Sequence, residues 1–284
     1  MNVPIGSPAP AGAEADLAQR IGEVHWYHTL ELGGGLVTRG AFDTRRALAR
    51  VPLPASLAGR RCLDVGTWDG FWAFEMERRG AGEVVAIDLD DPERWDWPAG
   101  AQADSRAVLA TIKGSDSGFD IAQRALGSTV KRVDCSVYEC SPERLGRFDF
   151  VFMGSLLLHL RDPVGALAAL RSVCDGEAVI ADTVQALASL LHRRRPLARL
   201  EGLGRPWWWQ PNIAGLRRMV ESAGFEVLEQ TSLYTVALGA AHPRAPLRQL
   251  ARGLGSPVGR ENAIAQLFGV PHAAVRARPQ PDVK

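Results

Sequence analysis

A short apolar run that ends in two spaced glycines constrains this chain more than any other feature. Residues 61–70 read RCLDVGTWDG, and a helical pattern follows at once over 70–79. A buried strand, a tight turn and a helix in that order form the first unit of a doubly wound α/β sheet, in which ligands bind beyond the carboxyl ends of the strands. Gly66 lets a ligand approach the backbone, and Gly70 lets the helix begin close to the strand.

The chain repeats this alternation of strand and helix as far as residue 240. Short, continuously apolar strands separated by helices are typical of a parallel sheet with both faces covered. Residues 225–240 hold two strand-like runs with no helix between them, which predicts an antiparallel strand at one edge. The predicted fold class is therefore α/β: a Rossmann-like doubly wound sheet, mostly parallel with one antiparallel edge strand, plus an N-terminal helical extension.

Composition divides the chain into four segments and excludes several classes of protein. We predict a disordered leader at 1–13, a helical cap at 14–58, a ligand-binding domain at 59–240 and a basic, Pro/Arg-rich extension with a loose end at 241–284. The four cysteines form no CxxC pair, which predicts reduced thiols. No apolar run is long enough to span a membrane, and the start lacks the pattern of a secretory signal, so we expect a cytoplasmic protein without a membrane partner. The net charge of +1 does not favour nucleic acid.

The glycine motif discriminates between two classes of nucleotide ligand. A dinucleotide site has the pattern GxGxxG, but here Thr67 and Trp68 stand between the glycines. Asp64 and Asp69 would also surround a pyrophosphate with negative charge. S-adenosylmethionine carries a sulfonium and an ammonium instead, so acidic neighbours suit it. The pattern DxGxxxG therefore predicts an S-adenosylmethionine site, with a dehydrogenase as the weaker alternative.

Positions at the strand ends supply the other expected donor contacts. Asp88 ends the second strand, where a carboxylate accepts both ribose hydroxyls, although Asp90 and Asp91 nearby make the choice of residue ambiguous. Ser136 and Val137 follow the third strand, where an adenine ring is expected. The full expected set is Asp64, Gly66, Thr67, Gly70, Asp88, Leu89, Ser136, Val137, Met153 and Ser155. We expect no metal.

Longer stretches of the chain resemble a known enzyme family. RCLDVGTWDGFWAFEMERRGA and FDFVFMGSLLLHLRDP resemble the class I S-adenosylmethionine-dependent methyltransferases. With WYHTLEL, GLVTRGAFD and VDCSVYEC, they are similar to the subfamily related to the tRNA wobble-uridine carboxymethyltransferases. The resemblance covers about residues 25–235 and implies that 59–240 is the methyltransferase domain. A carboxymethyl donor would need a nearby cation, for which Arg39 and Arg45 are candidates; we favour the ordinary donor.

The acceptor side has fewer signals. Methyl transfer is an in-line displacement, so the protein mainly positions its reactants and adds a base where the acceptor loses a proton. His159 after the fourth strand, and Tyr27 and His28 on the predicted N-terminal helix, are the candidate catalytic residues. Asp182 and one of Trp207 to Trp209 are further candidates for acceptor contact.

We expect a small-molecule acceptor. The alternatives are a tRNA base and a catalytically silent ligand-binding protein on the same fold.

Overall fold

A computed structural model describes residues 11–99, 118–202, 206–242 and 244–281. Its central feature is a nine-stranded sheet in the order β1-β10-β11-β6-β5-β2-β3-β4, with β9 also paired to β11. The strands are β1 Phe42–Asp43, β2 Arg61–Val65, β3 Glu83–Asp88, β4 Lys131–Asp134, β5 Phe148–Gly154, β6 Cys174–Thr183, β7 Ala198–Leu200, β8 Trp209–Pro211, β9 Phe225–Gln230, β10 Tyr234–Leu238 and β11 Val270–Pro279.

Helices connect and cover these strands. They are α1 Ala11–Glu23, α2 Phe71–Arg78, α3 Gly118–Leu126, α4 Pro142–Leu145, α5 Pro163–Val173, α6 Ala186–Leu191, α7 Ile213–Ser222, α8 Leu247–Gly253 and α9 Pro257–Phe268. Four of them, α4, α5, α7 and α9, begin at a polar cap. Asp162 accepts from the Gly165 N–H at the start of α5, and Asn212 accepts from the Gly215 N–H at the start of α7. Such caps satisfy amide groups that have no partner within the helix.

Of the five parallel strands, β3, β2, β5 and β6 are buried on both faces of the sheet, whereas β4 at the edge is partly exposed. Side chains from β2 alternate between two apolar clusters: Leu63 packs with residues of α5 and α7, and Cys62 packs with residues of α2 and α3. Because successive side chains of a strand point to opposite faces, a strand covered on both sides must be apolar throughout. The α/β fold class is confirmed, and the sequence runs that predicted these strands correspond to them closely.

The place of the antiparallel strand differs from the prediction. The strand beside β6 is β11, which lies inside the sheet: it pairs antiparallel with β6 on one side and with β9 and β10 on the other. The runs at 225–240 form β9 and β10, which lie outside β11, and the short β1 pairs antiparallel with β10 at the edge. The prediction of a loose end is therefore wrong for residues 270–279, which form β11.

The N-terminal segment also differs from the prediction. Helix α1 begins at Ala11 and ends at Glu23, so His25 to His28 lie in an extended segment and not on a helix. This segment continues to β1 and is held by isolated bridges between His28 and Phe42 and between Glu31 and Val37. Residues 1–10 of the predicted leader, and residues 100–117, lie outside the described residues.

Candidate functional site

A large cavity lies at the carboxyl ends of the parallel strands. Its volume is about 1560 Å³, and its walls come from the ends of β2, β3, β5 and β6, from the N-terminal segment, and from α6 and α9. The amino end of β11 also reaches it, because that strand runs antiparallel to β6. The cavity exceeds the roughly 300–1,000 Å³ of a typical small-ligand pocket. It has room for two ligands side by side.

The loop after β2 forms one wall of the cavity and has an unusual backbone. Gly66 and Gly70 have φ values of 75° and 90°, and Trp68 between them has φ of 49°. A β-carbon at Gly70 would lie 2.4 Å from the Phe74 ring, so only glycine lets α2 begin there. A non-glycine residue in the left-handed region is uncommon and often marks a functional loop. Gly66 and Trp68 line the cavity.

Asp88 joins this loop to the end of β3. One carboxylate oxygen accepts the Trp68 N–H at 2.7 Å, and the other accepts the Leu89 N–H at 2.8 Å. Asp88 and Leu89 both line the cavity. Asp90, the alternative ribose ligand, is exposed, does not line the cavity and pairs with Arg132. The structure thus favours Asp88 over Asp90 as the acid that faces a ligand.

Residues after β4 form the adjoining wall. Ser136 caps a short 3₁₀ helix in a capping box with Glu139, and Val137 is buried at its start. Both line the cavity beside Cys135. The capping box therefore fixes the backbone of Ser136 and Val137, and Val137 makes this part of the cavity wall apolar.

Four of the residues expected to bind the methyl donor do not line the cavity: Asp64, Thr67, Gly70 and Met153. All but Gly70 are at most 2% exposed. Asp64 Oδ2 and Thr67 Oγ1 have no hydrogen-bond partner among the described residues. These positions shape the loop and its support from behind the cavity wall.

Asp69 connects the loop to the N-terminal segment, a contact that the sequence analysis missed. One oxygen of its buried carboxylate accepts the Tyr27 N–H at 2.9 Å and the His28 N–H at 2.7 Å. The other oxygen contacts His28 Nδ1. Tyr27 and His28 line the cavity, and the Tyr27 ring packs 5.2 Å from the Trp68 ring. Asp69 thus holds the two candidate catalytic residues of the N-terminal segment, Tyr27 and His28, in the cavity wall.

His159 lies in the cavity wall after β5. Its Nδ1 is 2.8 Å from the carbonyl oxygen of Pro206. Because a carbonyl only accepts, Nδ1 carries the hydrogen and Nε2 has a free lone pair when the ring is neutral. Burial lowers the pKa of this imidazole, with the bond to Pro206 acting in the opposite direction. The structure therefore favours the neutral form of His159, in which Nε2 accepts a hydrogen bond.

A second histidine, His272, was not predicted at all. It lies at the start of β11, where its Nδ1 is 2.9 Å from the Val270 carbonyl and its Nε2 is 3.1 Å from Ser155 Oγ. The carbonyl again fixes the hydrogen on Nδ1, so Ser155 donates to Nε2. Burial lowers the pKa of His272 to about 4. Ser155 and His272 both line the cavity, and Ser155 has φ of 53°.

Two buried groups surround this pair. Burial raises the pKa of Tyr234, whose ring stacks on His272 at 6.0 Å between centroids. Asp182, a predicted acceptor contact, is 1% exposed and does not line the cavity. Its oxygens accept the Leu157 and Thr183 N–H groups, both at 2.7 Å. Asp182 thus holds the loop after β5 from below.

The two candidate cations have different surroundings. Arg39 lines the cavity, whereas Arg45 forms ion pairs with Asp43 and Glu31. Of the three adjacent tryptophans, Trp207 lines the cavity. In the part of the chain that the structure describes, there is no cluster of His, Cys, Asp or Glu suited to a metal ion, and no helix is long and apolar enough to cross a membrane.

Comparison with known proteins is consistent with the geometry of this edge of the sheet. A family model described as a methyltransferase domain matches residues 40–230. The chain belongs to this methyltransferase domain family. The match begins just before β1 and ends with β9, so β2 to β6, with all of their carboxyl-end loops, lie within it.

Curated relatives of this methyltransferase domain have two kinds of name. A tRNA U34 carboxymethyltransferase of Ectopseudomonas mendocina is 26% identical over 190 residues, which are 66% of this chain and 52% of that protein. A ubiquinone biosynthesis O-methyltransferase of Bordetella avium is 33% identical over 121 residues, 42% of this chain and 41% of that protein. The chain thus spans about half the length of the curated relatives it matches.

A solved structure shows the same fold. The N-terminal domain of EvdMO1, crystallised in the presence of SAH (S-adenosylhomocysteine) and D-fucose, matches 94% of this chain and 97% of that domain. The TM-score is 0.52 at 16% identity. The likeness supports the fold of the methyltransferase domain.

Proposed function

We propose that this chain is an S-adenosylmethionine-dependent methyltransferase whose acceptor is a small molecule. One observation carries the proposal: a single cavity joins the Gly66 loop and Asp88 to the histidines at the other end of the same sheet edge. One half of the cavity has the groups that suit a nucleoside, and the other half has the histidine and tyrosine side chains that suit an acceptor.

The donor half fits S-adenosylmethionine. Asp88 offers carboxylate oxygens toward the ribose hydroxyls, and Ser136 and Val137 form a wall for the adenine. Gly66 and Ser155 lie beside the space left for the methionine portion. This donor supplies a methyl group that its sulfonium has already activated. The chain itself binds, orients and excludes water.

The acceptor half favours a molecule that fits inside the protein. The N-terminal segment, α6 and α9 surround it, and Tyr27, His28 and His159 face it. Enclosed walls position two reactants in line, which is the main requirement of a displacement reaction. A base is needed only if the acceptor loses a proton, and the free Nε2 of His159 is placed to accept one. A nucleobase would enter only as an extruded base.

A tRNA acceptor is the second candidate, because relatives at 26–30% identity are named tRNA U34 carboxymethyltransferases. A carboxymethyl donor adds a carboxylate that would need a cation. Arg39 is exposed and lines the cavity, whereas the Arg45 guanidinium is engaged with Asp43 and Glu31. A catalytically silent binding protein would bind the donor without turnover. Assays with tRNA and with small acceptors separate these alternatives.

Calorimetry with SAH tests the donor site. Asp88→Asn removes the charge while keeping the side-chain shape, and we expect SAH to bind at least about tenfold more weakly. Hydrogen bonds to a charged group contribute roughly 1.5–3 kcal/mol, and about 1.4 kcal/mol corresponds to tenfold in affinity. Asp90→Asn is the matched control, since Asp90 pairs with Arg132 outside the cavity.

Three results would count against the donor assignment. The first is an equal loss of affinity in both variants, which would indicate a general electrostatic effect. The second is a larger loss in Asp90→Asn, which would shift the ribose ligand by two residues. The third is tighter binding of NAD than of SAH by the unmodified protein, which would favour a dehydrogenase.

A further inference from the structure

The polar groups at the β5–β11 side of the cavity form a connected set. The carboxyl ends of β3, β2, β5 and β6 and the amino end of β11 lie in that order along one edge of the sheet. Asp88 lies at one end of this row and His272 at the other. Ser155, at the end of β5, stands between them and turns its hydroxyl away from Asp88 to His272 Nε2.

We propose that Ser155 and His272 form a binding site for a neutral hydroxyl group on an aromatic acceptor, and that they accept its proton during methyl transfer. This inference rests on the proposed function and assigns the acceptor chemistry within the same cavity. His272 lies outside the donor site described above, and Ser155 lies where the donor and acceptor halves of the cavity meet.

The hydrogen-bonding arrangement around Ser155 has one direction only. Val270 fixes the hydrogen of His272 on Nδ1, so Nε2 accepts and the Ser155 hydroxyl donates. The Tyr27 hydroxyl also lies within hydrogen-bonding reach of Ser155, which leaves Ser155 Oγ one further lone pair to accept a hydrogen bond from a ligand. A hydroxyl group on the acceptor would donate to Ser155 Oγ, which already donates to Nε2. A continuous series of hydrogen bonds would then run from the ligand hydroxyl through Ser155 to the His272 imidazole.

The backbone at Ser155 supports a role for the hydroxyl. Its φ of 53° lies in the left-handed region, which costs a non-glycine residue of order 1–3 kcal/mol. Glycine would adopt this conformation without strain. A serine retained at such a position, with its hydroxyl in a cavity and bonded to a buried histidine, is therefore consistent with a function for that hydroxyl.

Charged groups near the pair suit a neutral acceptor. Asp182 lies below the loop with both oxygens bonded to backbone N–H groups, and Asp69 is bonded to Tyr27 and His28. No described carboxylate thus turns toward the pair to attract a cationic amine. Tyr27 and Tyr234 both keep their protons, because burial raises the pKa of each, with a further contribution from the charge of Asp182.

Aromatic walls indicate the rest of the ligand. The Tyr234 ring stacks on His272, and the Tyr27 ring packs against Phe42 and Trp68. Flat rings pack well against such surfaces at centroid separations of 4.5–7 Å. A phenol therefore matches both the polar pair and its surroundings.

The proton transfer balances as follows. A lone pair of the acceptor oxygen forms the new bond to the methyl carbon, and the departing sulfur keeps the electron pair of the broken bond. The acceptor proton moves to Ser155 Oγ while the Ser155 proton moves to His272 Nε2. The products are a methyl ether, a neutral thioether, unchanged serine and an imidazolium, which returns its proton to water. A base as weak as His272, with a pKa of about 4, suffices because an oxygen that carries both methyl and proton is a much stronger acid.

Phenol and anisole provide matched probes, because anisole has the same ring with the hydroxyl already methylated. Nitrogen-15 NMR of the histidine-labelled protein, saturated with SAH, reports on His272 Nε2 directly. We expect millimolar phenol to shift this signal and anisole to leave it unchanged. Equal shifts with both probes, or no shift with phenol, would overturn the proposal.

Ser155→Gly removes the hydroxyl without straining the backbone. We expect the phenol-dependent shift of Nε2 to disappear in Ser155→Gly. His272→Gln, at a residue that has no part in the donor site, should bind SAH within a few-fold of the unmodified protein. If SAH binding by His272→Gln falls by tenfold or more, His272 contributes to the donor site and the acceptor site is misplaced. Calorimetry with SAH thus separates the two proposals: loss of phenol binding alone refutes only this inference, whereas absence of SAH binding in the unmodified protein refutes the proposed function.

Turnover distinguishes the two histidines of the cavity. With S-adenosylmethionine and phenol, anisole formation is measured by gas chromatography, and we expect His272→Gln to lower kcat by about 100-fold, as removal of a general base commonly does. The KM for S-adenosylmethionine should change little. His159→Gln is measured in parallel. A large loss in His159→Gln with normal turnover in His272→Gln would assign the base to His159, and a lack of anisole formation by the unmodified protein would exclude phenols as acceptors.

Discussion

Asp64 is a buried acid whose role differs from that of its neighbours on the loop. It is 1% exposed, and its Oδ2 has no hydrogen-bond partner in the described part of the chain. Burial raises the pKa of this carboxyl to about 7, although Thr67 and the charge of His28 act in the opposite direction. In an unfolded chain the same carboxyl has a pKa near its ordinary value of about 3.9. The folded protein therefore binds a proton that the unfolded chain does not, between pH values of about 4 and 7.

This difference predicts a pH-dependent stability. A raised carboxyl pKa stabilises the folded state at low pH, and the contribution is lost as the pH rises from about 4 to about 7, by up to about 1.4 kcal/mol per pH unit. Asp64→Asn removes the titration. Urea unfolding at both ends of this range should show the unmodified protein losing stability relative to the variant as the pH rises. A constant difference between the two proteins would mean that Asp64 is ionised throughout.

The residues that could be predicted follow the glycine motif at a short, fixed spacing. The contacts that were missed join residues that lie far apart in the sequence. Asp88 follows Gly70 by a distance that the fold class sets, so it could be predicted. His272 reaches the cavity only because β11 enters the sheet beside β6, and no local pattern around residue 272 indicates that contact. Asp69 was noted as a nearby acid, but its bonds to Tyr27 and His28 depend on a contact across 41 residues or more.

At the scale of elements, the N-terminal segment shows why periodicity alone was insufficient. Leu17, Ile21 and Val24 have helical spacing, which extended the predicted helix through residue 32. The residues after Glu23 are β-branched, aromatic or imidazole side chains with weak helix propensity. The N–H groups of Tyr27 and His28 bond to Asp69 instead of to carbonyl oxygens one helical turn earlier. The tertiary contact therefore ends the helix, and a single sequence does not reveal it.

Strand β11 was missed for a compositional reason. Its arginines suggested a basic tail, yet Val275 and Ala277 are fully buried while Arg278 between Ala277 and Pro279 is exposed. The alternation is short and interrupted by small residues, so the period-two pattern is weak. The strand is nevertheless central, because it separates β6 from β9 and β10.

The position of β11 predicts an unequal response to two substitutions in one strand. Val275→Ala should lower the free energy of unfolding by roughly 1.5–3 kcal/mol, since it removes fully buried apolar surface. Arg278→Ala removes an exposed ion pair with Glu226 and should leave the free energy of unfolding almost unchanged. Urea denaturation measures both. Equal effects would indicate that β11 is not part of the cooperative core.

At the scale of the whole molecule, the cavity is assembled from segments far apart in sequence. Tyr27, Gly66, Asp88, Ser155 and His272 all line it, and they come from the N-terminal segment, three parallel strands and the last strand of the sheet. The sequence could predict the middle three because a parallel sheet aligns its carboxyl ends. The two outer segments are placed by contacts between distant residues, and these determine how the acceptor half is enclosed.

Asp69 connects the loop after β2, in the donor half of the cavity, to the N-terminal segment, in the acceptor half. Its substitution therefore tests how the cavity is assembled. Asp69→Ala removes the partner of the Tyr27 and His28 amides and of His28 Nδ1. Because these groups are buried, we expect a loss of about 3 kcal/mol or more in the free energy of unfolding, together with faster proteolysis between residues 24 and 41. SAH should protect this segment in the unmodified protein and much less in the variant, since the loop that bears Asp69 also lines the donor half.

Glu143→Ala, at an exposed carboxylate of α4, is the control and should leave proteolysis and SAH protection unchanged. If Asp69→Ala is cleaved at the same rate as the control, with equal protection by SAH, the N-terminal segment closes the cavity without Asp69, and donor binding does not order it.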